Sequence, residues 1–273
     1  MMQLGIFAKT FDRPTVEEVF DAVRVHHLDC VQFNMTCAGL SALPDAIEPS
    51  LSARISTAAT RSGVEIAAVS GTYNMIHPDR EVRQAGLRSL RVLASACKDM
   101  GTSIITLCTG SRDVDNMWRW HPDNASPQAW SDLLDSLEAA LRIAEEEQVT
   151  LAFEPEQANV VNSAAKGHAL LAAMQSPRLK VIIDPANLIV AAHKHEMRQV
   201  LDEAFDLLGE HIILAHAKDR GEDDTFRVAG EGMLDYDQYM HLLRSITFEG
   251  PLILHGLSEA QVDGALRFVR SKL

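Results

Sequence analysis

Four residues able to hold a metal ion recur at a near-regular spacing: Glu154 in LAFEPE, Asp184 in VIIDPAN, His216 in ILAHAKD and His255 in LILHG. Their separations are 30, 32 and 39 residues, and each closes a short apolar run. Two carboxylates and two imidazoles brought together suit Mn²⁺ first, with Zn²⁺, Co²⁺ and Fe²⁺ as alternatives; Mg²⁺ is less attractive with two nitrogen ligands. Singly, an acid after a strand is as often a helix cap, and a histidine is more often structural than a ligand. Four at matching places are harder to explain that way, because an isolated carboxylate at the end of a buried strand is costly unless paired or metal-bound.

The elements that would bring the four together follow from periodicity. Apolar or β-branched runs occupy 4–8, 30–34, 64–70, 103–109, 149–154, 180–184, 211–216 and 251–255. Helical spacing fills 15–26, 51–62, 79–100, 127–147, 164–175, 197–208, 236–245 and 259–271, with Pro14-Thr15 and Ser258-Glu259 as starts of the first and last. Eight strand-helix units of about 34 residues, with near-continuous apolar strands, point to an α/β fold, a (β/α)8 TIM barrel forming a single domain over 1–273. An open doubly wound sheet is disfavoured, since no G-x-G-x-x-G follows the first strand. The four candidate ligands would then meet at the C-terminal end of neighbouring strands. The long connections 110–126, with Trp118 and Trp120, and 218–235 fall on that same face.

Composition narrows the partners. Against 25 Lys+Arg stand 38 Asp+Glu, a net charge of −13, which argues against a general nucleic-acid binder. No run reaches the roughly 18 apolar residues of a membrane span, and the N-terminal MMQLGIFAKTF lacks the pattern of a secretory leader. Cys30, Cys37, Cys97 and Cys108 are scattered and read as reduced, buried thiols. The expectation is a cytoplasmic protein with no nucleic-acid or membrane partner; homo-oligomer formation stays open.

EPE, DPAN and HAKD after the fifth, sixth and seventh strands resemble the sugar phosphate isomerase/epimerase superfamily, the xylose isomerase-like barrels. So does R-x-x-G-x-G, as Arg227-Val-Ala-Gly230-Glu-Gly232, followed by Asp235. The resemblance covers essentially the whole chain; its motifs are specific together and weak singly. It implies that Glu154, Asp184 and His216 ligate a divalent metal, that Arg227 contacts substrate oxygens and that Asn187 holds a substrate hydroxyl. It also implies that GTYNMIHPD lends Asn74 or His77 to the pocket. One place departs from the pattern: the superfamily usually ends its eighth strand with a glutamate, as fourth ligand and often second base, where this chain has His255.

The chemistry so implied is proton abstraction next to a carbonyl of a small carbohydrate, through an enediolate, by a divalent-metal-dependent sugar isomerase or epimerase. Glu154 is the candidate base, and His255 is either a fourth ligand or a free acid or base. An imidazole in that place also gives weight to β-elimination from a keto-sugar by a lyase or dehydratase, where a departing oxygen takes up a proton. Glu156 could face the pocket or cap the next helix; Lys218 could touch substrate or pair with Asp219. Trp118 and Trp120 could wall a sugar face or simply pack their loop. An abasic-site endonuclease would need further ligands on the first strands, which end in Lys9, Asn34 and Ser70. A sugar-binding barrel without chemistry would hold no metal and ignore chelators.

Overall fold

Each apolar run becomes a parallel strand, and each amphipathic stretch lies over the outside of the ring those strands form. The computed structural model describes residues 2–273. The ring strands are β1 (Gln3–Phe7), β2 (Cys30–Phe33), β3 (Glu65–Ser70), β4 (Ile104–Leu107), β5 (Thr150–Phe153), β6 (Leu179–Ile183), β7 (Ile212–Ala217) and, last in the chain, β10 (Pro251–Leu254). Between them, Asp219–Arg220 (β8) and Phe226–Arg227 (β9) form a small antiparallel hairpin. The helices are α1 (Val16–Val25), α2 (Pro49–Ser62), α3 (Arg80–Met100), α4 (Pro127–Glu146), α5 (Ala164–Met174), α6 (Pro185–Leu188), α7 (Met197–Leu208), α8 (Tyr236–Ser245) and α9 (Val262–Arg270).

The sheet closes: β10 pairs with both β7 and β1, and the other ring strands follow in chain order. This is the (β/α)8 barrel that the sequence implies, with strand limits within about two residues of expectation. Helix starts are local decisions. Thr15, Asp79, Ser126, Ser163 and Asp235 each accept a hydrogen bond from a first-turn N–H of α1, α3, α4, α5 and α8. Gly63 and Gly101 end α2 and α3 in the left-handed region, at φ +66° and +86°. The short α6 was not expected; DPAN builds it with Asp184 as cap and Pro185 at its first position.

Alternation along the strands divides the side chains. Outward residues such as Ile6, Val31, Val69, Ile105, Leu151 and Val181 pack beneath the helices. Inward, Phe7, Cys30, Ala68, Ala152, Ile182, Leu214 and Ile253 form one apolar layer that fills the barrel, with Ile104 packed against it. Complete burial of each larger member contributes about 1.5–3 kcal/mol. Two residues further along each strand, on the same face, stand Lys9, Gln32, Ser70, Thr106, Glu154, Asp184, His216 and His255. Apolar residues thus floor a polar ring. Among the described residues, no helix is long and apolar enough to cross a membrane.

All four cysteines are free thiols, and burial pushes Cys30 and Cys97 up to about 12. Native protein at pH 8 should therefore consume less than one equivalent of a thiol reagent in the first minutes and four after denaturation. Unfolded thiols ionise near the ordinary value while the folded ones hold their protons. Stability should accordingly fall as pH rises from about 9 towards 12, which urea midpoints at pH 8 and pH 10 would read.

Candidate functional site

The polar ring opens into a cavity of about 360 Å³ at the C-terminal end of the strands. Glu154 and Asp184 are the first residues past β5 and β6, His216 is near the end of β7, and His255 follows β10. Glu154, Asp184 and His216 present ligand atoms within 4.8 Å of one another. His216 Nδ1 lies 3.4 Å from Glu154 Oε2 and 3.5 Å from Asp184 Oδ2. His255 is not one of that group. Its half-buried ring stands 5.1 Å from the His216 ring and edge-on to Phe7, and its buried Nδ1 has no hydrogen-bond partner.

Neighbouring side chains set the orientation of the three. Gln32 donates through Nε2 to Thr106 Oγ1 at 3.0 Å and Ser70 Oγ at 3.3 Å, which leaves its Oε1 to face His216 Nε2 at 3.0 Å. The imidazole therefore keeps Nδ1 toward the two carboxylates. Asp184 divides its oxygens: Oδ1 accepts from Ala186 N at 2.9 Å to cap α6, and Oδ2 faces the site. The helix-cap and site readings of this residue are both true, one for each oxygen. Asn187, on α6, donates to Glu154 Oε1 and accepts from Lys218 Nζ at 3.3 Å. The hydroxyl of Tyr239 donates to the His216 carbonyl at 3.1 Å, and that of Tyr236 to the Lys218 carbonyl at 2.9 Å.

The electrostatics are those of a desolvated charge cluster. Burial alone would lower the His216 pKa, but the Glu154 and Asp184 carboxylates outweigh it and hold it up at about 9. Burial opposes ionisation of Asp184, yet Lys218 and His216 keep its carboxyl well below the usual range. Lys218 Nζ is 2.9 Å from Asp184 Oδ2, and the surrounding carboxylates hold its pKa up against burial. Glu156 goes the other way, raised to about 8 by burial and by the neighbouring Glu154. His255 is pushed well below its ordinary value by burial, Lys218 and His216.

The donor set fits a divalent transition metal. His216 Nδ1 is buried without a hydrogen bond, Asp184 Oδ2 is buried against the Lys218 ammonium, and Glu154 Oε2 lies beside them. Two carboxylate oxygens and one imidazole nitrogen, with the second imidazole nitrogen held from behind, form a usual first-row metal set.

The other expected residues separate into two groups. Asn187, Glu156 and Lys218 line the cavity, and Lys218 pairs with Asp184 and not with Asp219. Arg227, Asn74 and His77 do not line it. Arg227 is drawn off by Asp223, four residues earlier, at 2.7 Å. Asn74 is spent on the adjoining loop, donating to the Ser111 carbonyl at 2.7 Å and accepting from Ser111 N at 3.1 Å. His77 Nε2 meets the Val114 carbonyl at 3.2 Å. The loop after β3 instead offers Ser70 and Thr72 to the cavity. Gln32 and Thr106 were missed; each is a polar residue in an otherwise buried strand, two places past an inward apolar one.

The glycines of R-x-x-G-x-G have a structural cause. Buried Asp219 accepts from Arg220 N and Leu234 N through Oδ1 and from Gly230 N through Oδ2, at 2.8–3.0 Å. A Cβ at Gly232 would lie 2.2 Å from Asp219 Oδ1. The segment 220–234 is wrapped around this one carboxylate.

Comparison with known proteins agrees with the barrel. A family model for the xylose isomerase-like TIM barrel matches residues 20–272. An L-ribulose-5-phosphate 3-epimerase of Shigella flexneri serotype 5b is 24% identical over 200 residues, 73% of this chain and 66% of that enzyme. The match thus spans slightly less than two thirds of the relative's own length. A D-tagatose 3-epimerase-like protein superimposes with a TM-score of 0.78 at 15% identity, covering 99% of this chain and 97% of that one. The apo 3-keto-D-glucoside 4-epimerase of E. coli gives 0.74 at 17%, covering 99% and 100%. At these identities the two structures speak for the fold alone.

Asp219→Ala should leave three loop N–H groups without their acceptor and cost about 1–3 kcal/mol. Limited trypsinolysis should then cut at Arg220 or Arg227 much faster than in wild type, with the rest of the barrel intact by circular dichroism.

Proposed function

This chain belongs to the xylose isomerase-like TIM-barrel family, and from that premise we propose that it is a single-domain, divalent-metal-dependent sugar epimerase or isomerase. The observation that carries the reading is the convergence of Glu154, Asp184 and His216, with the buried His216 Nδ1 left without a hydrogen bond and facing the two carboxylates. The activity of the Shigella flexneri relative, a sugar-phosphate 3-epimerase, supports the same class. Mn²⁺ is the first candidate, with Zn²⁺, Co²⁺ and Fe²⁺ behind it.

Bound by these three residues, the cation would polarise the substrate carbonyl and stabilise the negative charge that grows on its oxygen. Glu154 takes the proton from the adjacent carbon. Asn187 holds its Oε1, so the carboxylate has one orientation in the cavity. Asn187, Glu156 and Lys218 orient the sugar oxygens. His255 presents an unpartnered imidazole Nδ1 from the neighbouring strand. Burial and Lys218 keep it neutral, so it can accept a proton on that side, and the Lys218 ammonium is the donor that returns one. Return to the opposite face of the same carbon is epimerisation; return to the neighbouring carbon is isomerisation.

A second reading, β-elimination from a keto-sugar, is favoured by one observation. The residue after the eighth ring strand is an imidazole kept neutral near the Lys218 ammonium, and that ammonium is a cation in the cavity that can give a departing oxygen its proton.

Elemental analysis of purified, metal-loaded protein should give one transition metal per chain, lost from Asp184→Ala and from Glu154→Ala. Glu154→Gln should slow exchange of the substrate carbon-bound proton into D₂O by about 10²–10⁴-fold. His255→Ala that keeps its metal but loses turnover would make this residue the second acid or base; loss of metal would make it a fourth ligand. An unsaturated keto-sugar product would select elimination. A protein that takes up no metal and exchanges no proton would sink both readings.

A further inference from the structure

The cavity mouth has a character its floor lacks. All three exposed aromatic side chains among the described residues, Trp118, Trp120 and Phe226, lie on the two long connections that crown the site, together with exposed Val114. Trp118 and Phe226 line the cavity itself, from the loop after β4 and from the start of β9, although 50% and 48% of their surface stays in water. Single exposed apolar residues need no explanation, but a cluster gathered at a pocket rim does.

The backbone that carries Trp118 and the ring of Phe226 are both held in place. The Trp118 backbone N–H donates to Asn116 Oδ1 at 2.9 Å, and Asn159 Nδ2 donates to the Met117 carbonyl at 3.4 Å. Buried Asn124 clamps the start of the same loop, accepting from Arg112 N at 2.7 Å and donating to the Ala158 carbonyl at 2.9 Å. On the other side, Lys218 Nζ sits 4.0 Å from the Phe226 ring centroid and the Arg220 guanidinium 5.0 Å. Aromatic surface kept exposed and fixed is burial left for a ligand to complete, with little conformational entropy lost on binding.

The rim is a poor phosphate cradle. No arginine lines the cavity, Arg227 is paired with Asp223, and Lys218 is committed to Asp184 and Asn187, which leaves Lys9 alone. A phosphoryl group prefers bidentate guanidinium or several converging N–H donors.

We propose that Trp118 and Phe226 form a subsite for a ring substituent on the reacting sugar, so that the substrate class is a glycoside and not a free or phosphorylated monosaccharide. The polar floor takes the reacting ring, and the aromatic rim takes the apolar face of the attached one. A second pyranose and an aryl group share that face chemistry. The inference rests on the carbohydrate reading above and specifies its substrate.

The test is binding to the metal-loaded protein by calorimetry, with tryptophan emission as a second readout. The probes are free ketopentoses and ketohexoses, their phosphate esters, and 3-keto-hexosides carrying either a second pyranose or a phenyl group. Glycosides should bind about tenfold tighter than free or phosphorylated sugars, and should alter an emission component that disappears in Trp118→Ala. Trp118→Ala and Phe226→Ala should bring glycosides to within about twofold of free sugars, with metal content and circular dichroism unchanged in both and free-sugar affinity unchanged in Trp118→Ala. A stronger effect of the pyranosyl or of the phenyl compound identifies the substituent. Free sugars or phosphate esters binding as tightly as glycosides, or a glycoside advantage that survives both substitutions, overturns the subsite and leaves the carbohydrate reading standing. No binding by any probe overturns both.

Discussion

Side chains on a strand alternate, and a closed eight-stranded ring has room inside for only a few layers of them. This constraint governs the rest of the molecule. The lower inward layer, from Phe7 to Ile253, is almost wholly apolar and closes the barrel to water from below. The layer two residues higher is polar on every strand, and it alone meets solvent, from the C-terminal side. A histidine, an aspartate and a lysine can therefore be almost fully desolvated and still be reached by a small molecule.

Burial of so much charge is tolerable because the charges compensate. Asp184 meets Lys218 and His216, Glu154 meets His216 and Asn187, and the imidazole is held from behind by Gln32. Taking one partner out of such a set leaves an uncompensated buried ion, which costs more than the pair contributes. Lys218 links the set to the rim, since the ammonium that faces Asp184 also lies over Phe226. Floor and rim therefore share one side chain.

The barrel was legible because its signals are local and repeated: apolar runs of strand length, helical spacing between them, and capping residues at the joins. Glu154, Asp184 and His216 were legible for a related reason, since ring closure turns equal spacing in sequence into proximity in space. Arg227, Asn74 and His77 lay beyond that logic. Their destinations depend on which partner is nearer, and Asp223, the Ser111 backbone and the Val114 carbonyl are closer than the cavity. The short α6 hid inside DPAN, where a site residue doubles as a helix cap. Gln32 and Thr106 carried a usable signal in the two-residue step from Cys30 and Ile104, but it becomes readable only once the inward face is known.

The ladder slips twice: partners jump from Ile66 to Ala68 between Val31 and Gln32, and from Ile212 to Leu214 between Val181 and Ile182. Each slip gives one strand an extra residue, Ala67 in β3 and Ile213 in β7, before the polar layer begins. Below the slips the register answers to barrel closure, and above them it answers to the ring that holds Ser70 and His216. The two strands thus carry a phase offset, like a vernier between two scales. Removing either extra residue would turn Ser70 together with Ala68, or His216 together with Leu214, to the outside of the barrel, among the helices.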